Sequence, residues 1–176
     1  MNALIREITA SRYVDVAGRR RTLKNESYLP TQDSILNNES KNKDLPLCLV
    51  DDDQSILKAT ARLLCSAGWK TEAFPDPLAF LLYAEANRPA VAVLDVWMPQ
   101  MNGLEVQHRL RSVSPETCVV ILTSKDDPHV RAKALAAGAS SFFLKPVQDD
   151  EFLREIESIY RGLNGSRQAA HSAAAR

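Results

Sequence analysis

The chain has 176 residues, with 22 basic and 22 acidic side chains and a 45% hydrophobic content. This suits one ordinary soluble domain with additional tail. A zero net charge gives no support to a nucleic-acid-binding or membrane-surface protein as a class. The charge is uneven, however: residues 1–44 carry eight basic and six acidic side chains, whereas residues 45–163 carry twelve and sixteen, an acidic excess that favours a cation site.

Residues 1–44 read as an N-terminal extension, disordered or partly helical. Leu4, Ile5 and Ile8 have the spacing of a short helix over 3–16, and Arg19, Arg20 and Arg21 form a basic cluster. Residues 24–44 are rich in Asn, Ser, Lys, Glu and Asp, and bury too little apolar surface to offset the entropy of ordering. From residue 45 the pattern alternates. Residues 45–50 form a short apolar run, as a strand buried on both faces does. Ile56, Leu57, Thr60, Leu63 and Ala67 then follow a helical period, stopped at Gly68. A second strand over 70–74 leads to a helix opened by Pro77, and a third strand spans 91–94. Val106, Leu110 and Val113 mark a third helix. A β-branched run over 117–122 is the fourth strand. Pro128 opens a fourth helix that Gly138 ends, and residues 141–144 form the fifth strand. Phe152, Ile156, Ile159 and Leu163 give a fifth, amphipathic helix. Residues 164–176, rich in Ala, Ser and Gly, read as a flexible tail.

Five strands alternating with five helices predict an α/β domain over 45–163: a doubly wound, five-stranded parallel sheet flanked by helices. Ligands of such sheets sit beyond the carboxyl ends of the strands. There the chain places Asp51, Asp52 and Asp53 after the first strand, Asp95 after the third, Thr123 and Ser124 after the fourth, and Lys145 and Pro146 after the fifth. Clustered carboxylates repel one another and call for a cation. Hard oxygen ligands in an open site suit Mg²⁺, and Lys145 brings a second positive charge on a flexible stem. Asp95, alone on the central strand, is the natural nucleophile, and its attack on phosphorus would give an acyl phosphate. Thr123 offers a hydroxyl to a phosphoryl oxygen. Each residue alone has a plain structural reading as a cap, turn or strand end; the set at four strand ends does not. Asp53 is the ambiguous member of the acidic run, a helix-capping or orienting residue if Asp51 and Asp52 take the metal.

These residues resemble the response-regulator receiver family. The resemblance is carried by Val50 to Asp53, Leu94 to Pro99 continuing through Met101, Asn102, Gly103, Leu104 and Glu105, Thr123, Gly138 and Ala139, Phe142, and Lys145 with Pro146. Forty-three residues separate Asp52 from Asp95, twenty-eight Asp95 from Thr123, and twenty-two Thr123 from Lys145; these intervals also look like the family's. The resemblance implies a flavodoxin-like receiver fold and a phosphoacceptor response regulator of a two-component phosphorelay. In that reading Asp95 is the phosphoacceptor. Asp51, Asp52, Asp95 and the backbone carbonyl of Trp97 hold Mg²⁺. Thr123 and Phe142 form the switch pair, Lys145 contacts the phosphoryl group, and the Lys145–Pro146 peptide is cis. The implied partners are a sensor histidine kinase or a histidine phosphotransfer protein. Output would pass through the fourth helix, fifth strand and fifth helix to a downstream protein or a second copy. The alternative is a degenerate receiver serving only as a constitutive interaction module.

The wording around Asp95 looks most like receivers that precede a helix-turn-helix domain, yet fewer than twenty residues follow the fifth helix, so no DNA-binding domain is expected. No enzyme activity is expected beyond the chain's own phosphoryl transfer and autodephosphorylation. An aspartate-nucleophile hydrolase would want an acid where Trp97 stands. A nucleotide- or flavin-binding domain would want a Gly-rich loop where the three aspartates stand. Cys48, Cys65 and Cys118 lack metal-like spacing and read as buried thiols of a cytoplasmic protein. No apolar run is long enough to cross a membrane. Trp97 and Lys125 are expected to shield the acyl phosphate from water.

Overall fold

The computed structural model describes residues 12–14, 20–22 and 45–174, with side chains from 45 to 165. The elements in chain order are β1 (Arg12–Val14), β2 (Arg20–Thr22), β3 (Leu47–Val50), α1 (Gln54–Ser66), β4 (Thr71–Phe74), α2 (Pro77–Asn87), β5 (Val91–Leu94), α3 (Gly103–Val113), β6 (Cys118–Thr123), α4 (Pro128–Ala136), β7 (Ser141–Leu144) and α5 (Asp149–Ala174).

β4, β3, β5, β6 and β7 lie side by side in that order, every pair parallel. From β3 the chain goes outward to β4, then returns across β3 to β5 on the other side. The strand order therefore reverses between β3 and β5, and the crevice beyond their carboxyl ends is the natural ligand position of a doubly wound sheet.

Strand alternation divides the core into two layers. Cys48, Val50, Ala92, Leu94, Val119 and Ile121 point to the face covered by α2, α3 and α4. Leu47, Leu49, Val91, Val93, Val120 and Leu122 point to the face covered by α1 and α5. The central strands have apolar residues at successive positions because both faces are covered. Caps set where the helices begin: Asp53, Asp76 and Asp127 accept the first free amides of α1, α2 and α4. Asn102 and Glu105 close a reciprocal capping box on α3.

Four expectations need correction. Residues 12–14 form a strand paired antiparallel with 20–22, where the helical reading of 3–16 had extended. Tyr13, Val14 and Thr22 are β-formers; the rest of 1–44, including Leu4, Ile5 and Ile8, lies outside the described residues. Helix α5 continues past Leu163 to Ala174. The Ala-rich stretch has high helix propensity and no proline to stop it. Cys65 is exposed while Cys48 is buried and Cys118 half-buried. The inward face of α1 is Leu57, Ala61 and Leu64, and Cys65 falls one position around the helix from it. β6 spans Cys118–Thr123 rather than 117–122: the Thr117 amide donates to Ser114 O in the preceding turn (3.1 Å), and the Cys118 amide is the first to reach across, to Ala90 O (3.0 Å). Burial raises the Cys48 and Cys118 thiols, which keeps them protonated and inert. Among the described residues no helix is long and apolar enough to cross a membrane.

Candidate functional site

The residues that follow β3, β5 and β7 stay in the backbone ladder, which aims their side chains. The Asp51 amide donates to Phe74 O (3.2 Å), that of Asp95 to Val50 O (2.9 Å) and that of Lys145 to Thr123 O (2.8 Å). Asp51 and Asp95 therefore leave neighbouring strands at the same level, on either side of the switch in strand order.

The Lys145 ammonium bridges them, donating to Asp51 Oδ2 at 2.5 Å and to Asp95 Oδ1 at 2.8 Å. Every carboxylate oxygen of the pair has a donor: Asp51 Oδ1 accepts from the Asp53 amide (2.9 Å) and Asp95 Oδ2 from the Trp97 amide (2.9 Å). Asp51 and Asp95 are buried and Asp52 is exposed. One carboxylate oxygen from each of Asp51, Asp52 and Asp95 lies within 4.8 Å of the other two. Asp53 is turned away, its Oδ1 capping Ser55 and Ile56 of α1.

The electrostatics follow from two buried anions sharing one cation. Burial pushes the Asp51 carboxyl above its ordinary range, outweighing the Lys145 contact and the Asp53 amide. Burial alone would pull the Lys145 ammonium down. The hydrogen bonds and charges of Asp51 and Asp95 overcome that and hold it above the usual lysine range. Lys145 does not fully neutralise three carboxylates, so the donor set fits a hard divalent cation. The exposed Asp52 leaves the site open enough for such an ion to keep water ligands, as Mg²⁺ does.

Thr123 ends β6 fully buried, its Oγ1 accepting a long hydrogen bond from the Lys125 amide (3.4 Å). Phe142, one residue into β7, is buried, and the Arg131 guanidinium of α4 lies over its ring at 4.5 Å. Trp97 is 43% exposed at the rim, with Lys125 Nζ 4.5 Å from its ring centroid. The Lys145–Pro146 peptide bond is cis. The structure thus brings Asp51, Asp52, Asp95 and Lys145 together. Thr123 stands at the end of the next strand, Trp97 and Lys125 stand at the mouth, and Phe142 lies in the core below.

Sequence reasoning quoted Gly103 without giving it a role. A Cβ there would stand 2.2 Å from the Asp95 backbone oxygen and 3.1 Å from Val96 Cα. Its amide donates to Val96 O (3.0 Å). Only a residue without a side chain lets the start of α3 press on the backbone of Asp95 and Val96. The signal was its place after Asn102 at a helix start, but the reason is a tertiary contact. A groove of about 570 Å³ beside Lys145, lined by Ile56, Ala59 and Leu63 of α1 together with Pro146 and Val147, was also not foreseen.

A family model described as the response regulator receiver domain matches residues 47–157. The response regulator protein TodT of Pseudomonas putida is 33% identical over 113 residues, 64% of this chain and 50% of TodT. The response regulator MprA of Mycobacterium leprae is 35% identical over 112 residues, 64% of this chain and 49% of MprA. The chain spans about half the length of the curated relatives it matches. Among solved structures, the chemotaxis protein CheY4 of Vibrio cholerae superposes with a TM-score of 0.61 at 28% identity, covering 65% of this chain and 98% of that one. The BeF3-activated DrrB receiver domain gives 0.60 at 31% identity, over 66% and 97%.

Proposed function

This chain belongs to the response regulator receiver family of two-component systems, and from that premise we propose that Asp95 accepts a phosphoryl group from a phosphohistidine of a sensor kinase or phosphotransfer protein. The observation that carries the proposal is the Lys145 ammonium held between Asp51 and Asp95. It places a mobile cation beside the carboxylate that would become an acyl phosphate.

In the reaction an Asp95 oxygen forms a new P–O bond as the P–N bond to the donor imidazole breaks, and the imidazole takes up a proton. The amide of Trp97 holds Asp95 Oδ2 and so orients the carboxylate. Lys145, on its long stem, follows the charge from the carboxylate to a phosphoryl oxygen. Asp51, Asp52, Asp95 and the Trp97 carbonyl would hold Mg²⁺. Bound there, the ion supplies charge neutralisation on the phosphoryl oxygens, which is most of what phosphoryl transfer requires. The groove between α1 and Pro146 opens beside Lys145 and suits the approach of the donor protein.

Signalling follows from the residues behind the site. The Thr123 hydroxyl would turn to a phosphoryl oxygen, drawing the segment at 124–127 with it and changing how α4 sits over Phe142. The face made by α4, β7 and α5 would then bind a downstream protein or a second copy. The chain acts as a signalling module whose only chemistry is its own phosphorylation and dephosphorylation, and its free thiols suit the cytoplasm.

The test is intact mass after incubation with Mg²⁺ and a small-molecule phosphodonor. One phosphoryl group is expected on the native chain, and none on Asp95→Asn or without Mg²⁺. No addition, even with a histidine kinase present, would overturn the reading in favour of a constitutive interaction module.

A further inference from the structure

The inward face of α3 is Gly103, Val106, Gln107 and Leu110. Gln107 is 1% exposed, and an amide at the centre of an apolar face needs an explanation. Its Nε2 donates to Ala134 O of α4 at 3.0 Å. Its Oε1 is buried with no hydrogen-bond partner among the described residues.

Stability does not explain this choice. Ala134 O already accepts the Ala139 amide at 3.0 Å, so the carbonyl needs no second donor. An apolar side chain of similar length would keep that carbonyl paired and remove a buried, unsatisfied oxygen. Gln107 instead makes a directional tie to a loosely packed helix. α4 buries one residue, Ala134, whereas α1, α2 and α3 bury three, five and four. A second tie reaches the same end, Arg111 Nη1 donating to Ala137 O at 3.3 Å. At the other end α4 is capped by its own Asp127, and the chain runs back through Lys125 to Thr123 in the site. Both side-chain hydrogen bonds from α3 thus reach the end of α4 far from the site, whereas the near half is held by Arg131 over the Phe142 ring and by Val130 against the core.

We propose that Gln107 is a positioning residue whose buried amide pins the C-terminal end of α4 to α3. Phosphorylation then moves α4 by pivoting it about Ala134 rather than by detaching it. The pivoting half of this statement rests on the proposed function; the pin does not.

The test uses the full chain and its Gln107→Met and Arg111→Met variants. Hydrogen exchange is followed in α4, with α1 and α5 as internal references, with and without Mg²⁺ and beryllofluoride. Urea midpoints are measured alongside. Gln107→Met should leave the midpoint unchanged or higher, yet speed α4 exchange about fivefold, the factor one neutral hydrogen bond is worth. α1 and α5 should not change. Arg111→Met, at an exposed position, should speed α4 alone by a smaller factor. With beryllofluoride the native chain should change its exchange at the N-terminal end of α4, and Gln107→Met along the whole helix.

A lowered midpoint with faster exchange in all three helices would make Gln107 an ordinary packing residue and overturn the proposal, as would unaltered α4 exchange. If the native chain does not respond to beryllofluoride, the functional reading and the pivot fail, while the comparison made without it still decides the pin.

Discussion

The Lys145 ammonium stands 2.8 Å from Oδ1 of Asp95, fifty residues away along the chain. The same nitrogen holds Asp51, so one cation orders two buried carboxylates. Removing it should be felt in both chemistry and stability. Lys145→Ala is expected to slow phosphorylation from a small donor roughly 100-fold, the scale of a lost preorganised charge. Without divalent cations it should also destabilise the fold by about 3 kcal/mol, because two buried anions lose their partner. Mg²⁺ should restore part of that. Urea denaturation with and without Mg²⁺, beside a mass-based rate, checks both; an unaltered midpoint in metal-free buffer would contradict the account.

Asp51 sets a pH dependence whose sign is opposite to that of most salt-bridged carboxylates. Its folded value is raised above 3.8, mainly by burial, so the folded chain holds this proton more firmly than the unfolded one. Its contribution to stability is complete below the unfolded value and is lost as pH rises through the folded value. In metal-free buffer the stability of the native chain relative to Asp51→Asn should therefore fall as pH rises above the unfolded value of 3.8. Mg²⁺ competes with the proton and should bind more tightly over the same window. A difference that grows with pH in metal-free buffer would show that Lys145, rather than burial, governs Asp51.

Gly103→Ala offers a test of the loop under Asp95. Helix propensity alone would favour Ala in α3. The new methyl, however, would meet the Asp95 backbone oxygen at 2.2 Å, and the displaced group is main chain. A net loss of about 1–3 kcal/mol is expected, as for overpacking elsewhere. Phosphorylation should slow as well, because the displaced backbone is that of Asp95 and carries the carboxylate out of its orientation. Thermal unfolding that rises on this substitution would disprove the contact.

Trp97 and Lys125 meet at the mouth of the site. An exposed cation–π pair is worth about 0.5–1 kcal/mol, which corresponds to a two- to fivefold change in how often water reaches the acyl phosphate. Trp97→Asn should shorten the phosphate lifetime by that factor while leaving the initial rate of phosphorylation close to native. The decay of the mass-shifted species gives the answer, and an unchanged half-life removes the shielding role.

Much of the fold was legible because two periodicities interrupt one another. Apolar runs of four or five residues alternate with helical stripes, and turn residues such as Pro77, Pro128, Gly68 and Gly138 punctuate them. Covering both faces of a parallel sheet demands such a pattern. What failed did so where local signals were weak. The β1–β2 pair depends on two segments finding each other. The reach of α5 beyond Leu163 comes from propensity rather than amphipathicity. The exposure of Cys65 turns on a single step around α1.

By itself the sequence determined the doubly wound sheet and put Asp51, Asp52, Asp95, Thr123 and Lys145 at strand ends, since strand-end chemistry is a matter of chain order. Only the tertiary structure decided which of these touch: that Lys145 divides its protons between Asp51 and Asp95, that Asp53 turns away to cap α1, that Gly103 must lack a side chain, and that Gln107 reaches across to Ala134. Those relations depend on distances between elements far apart in the chain. Such distances are set by how side chains pack and where buried polar atoms find partners, and no local spacing along the chain records them.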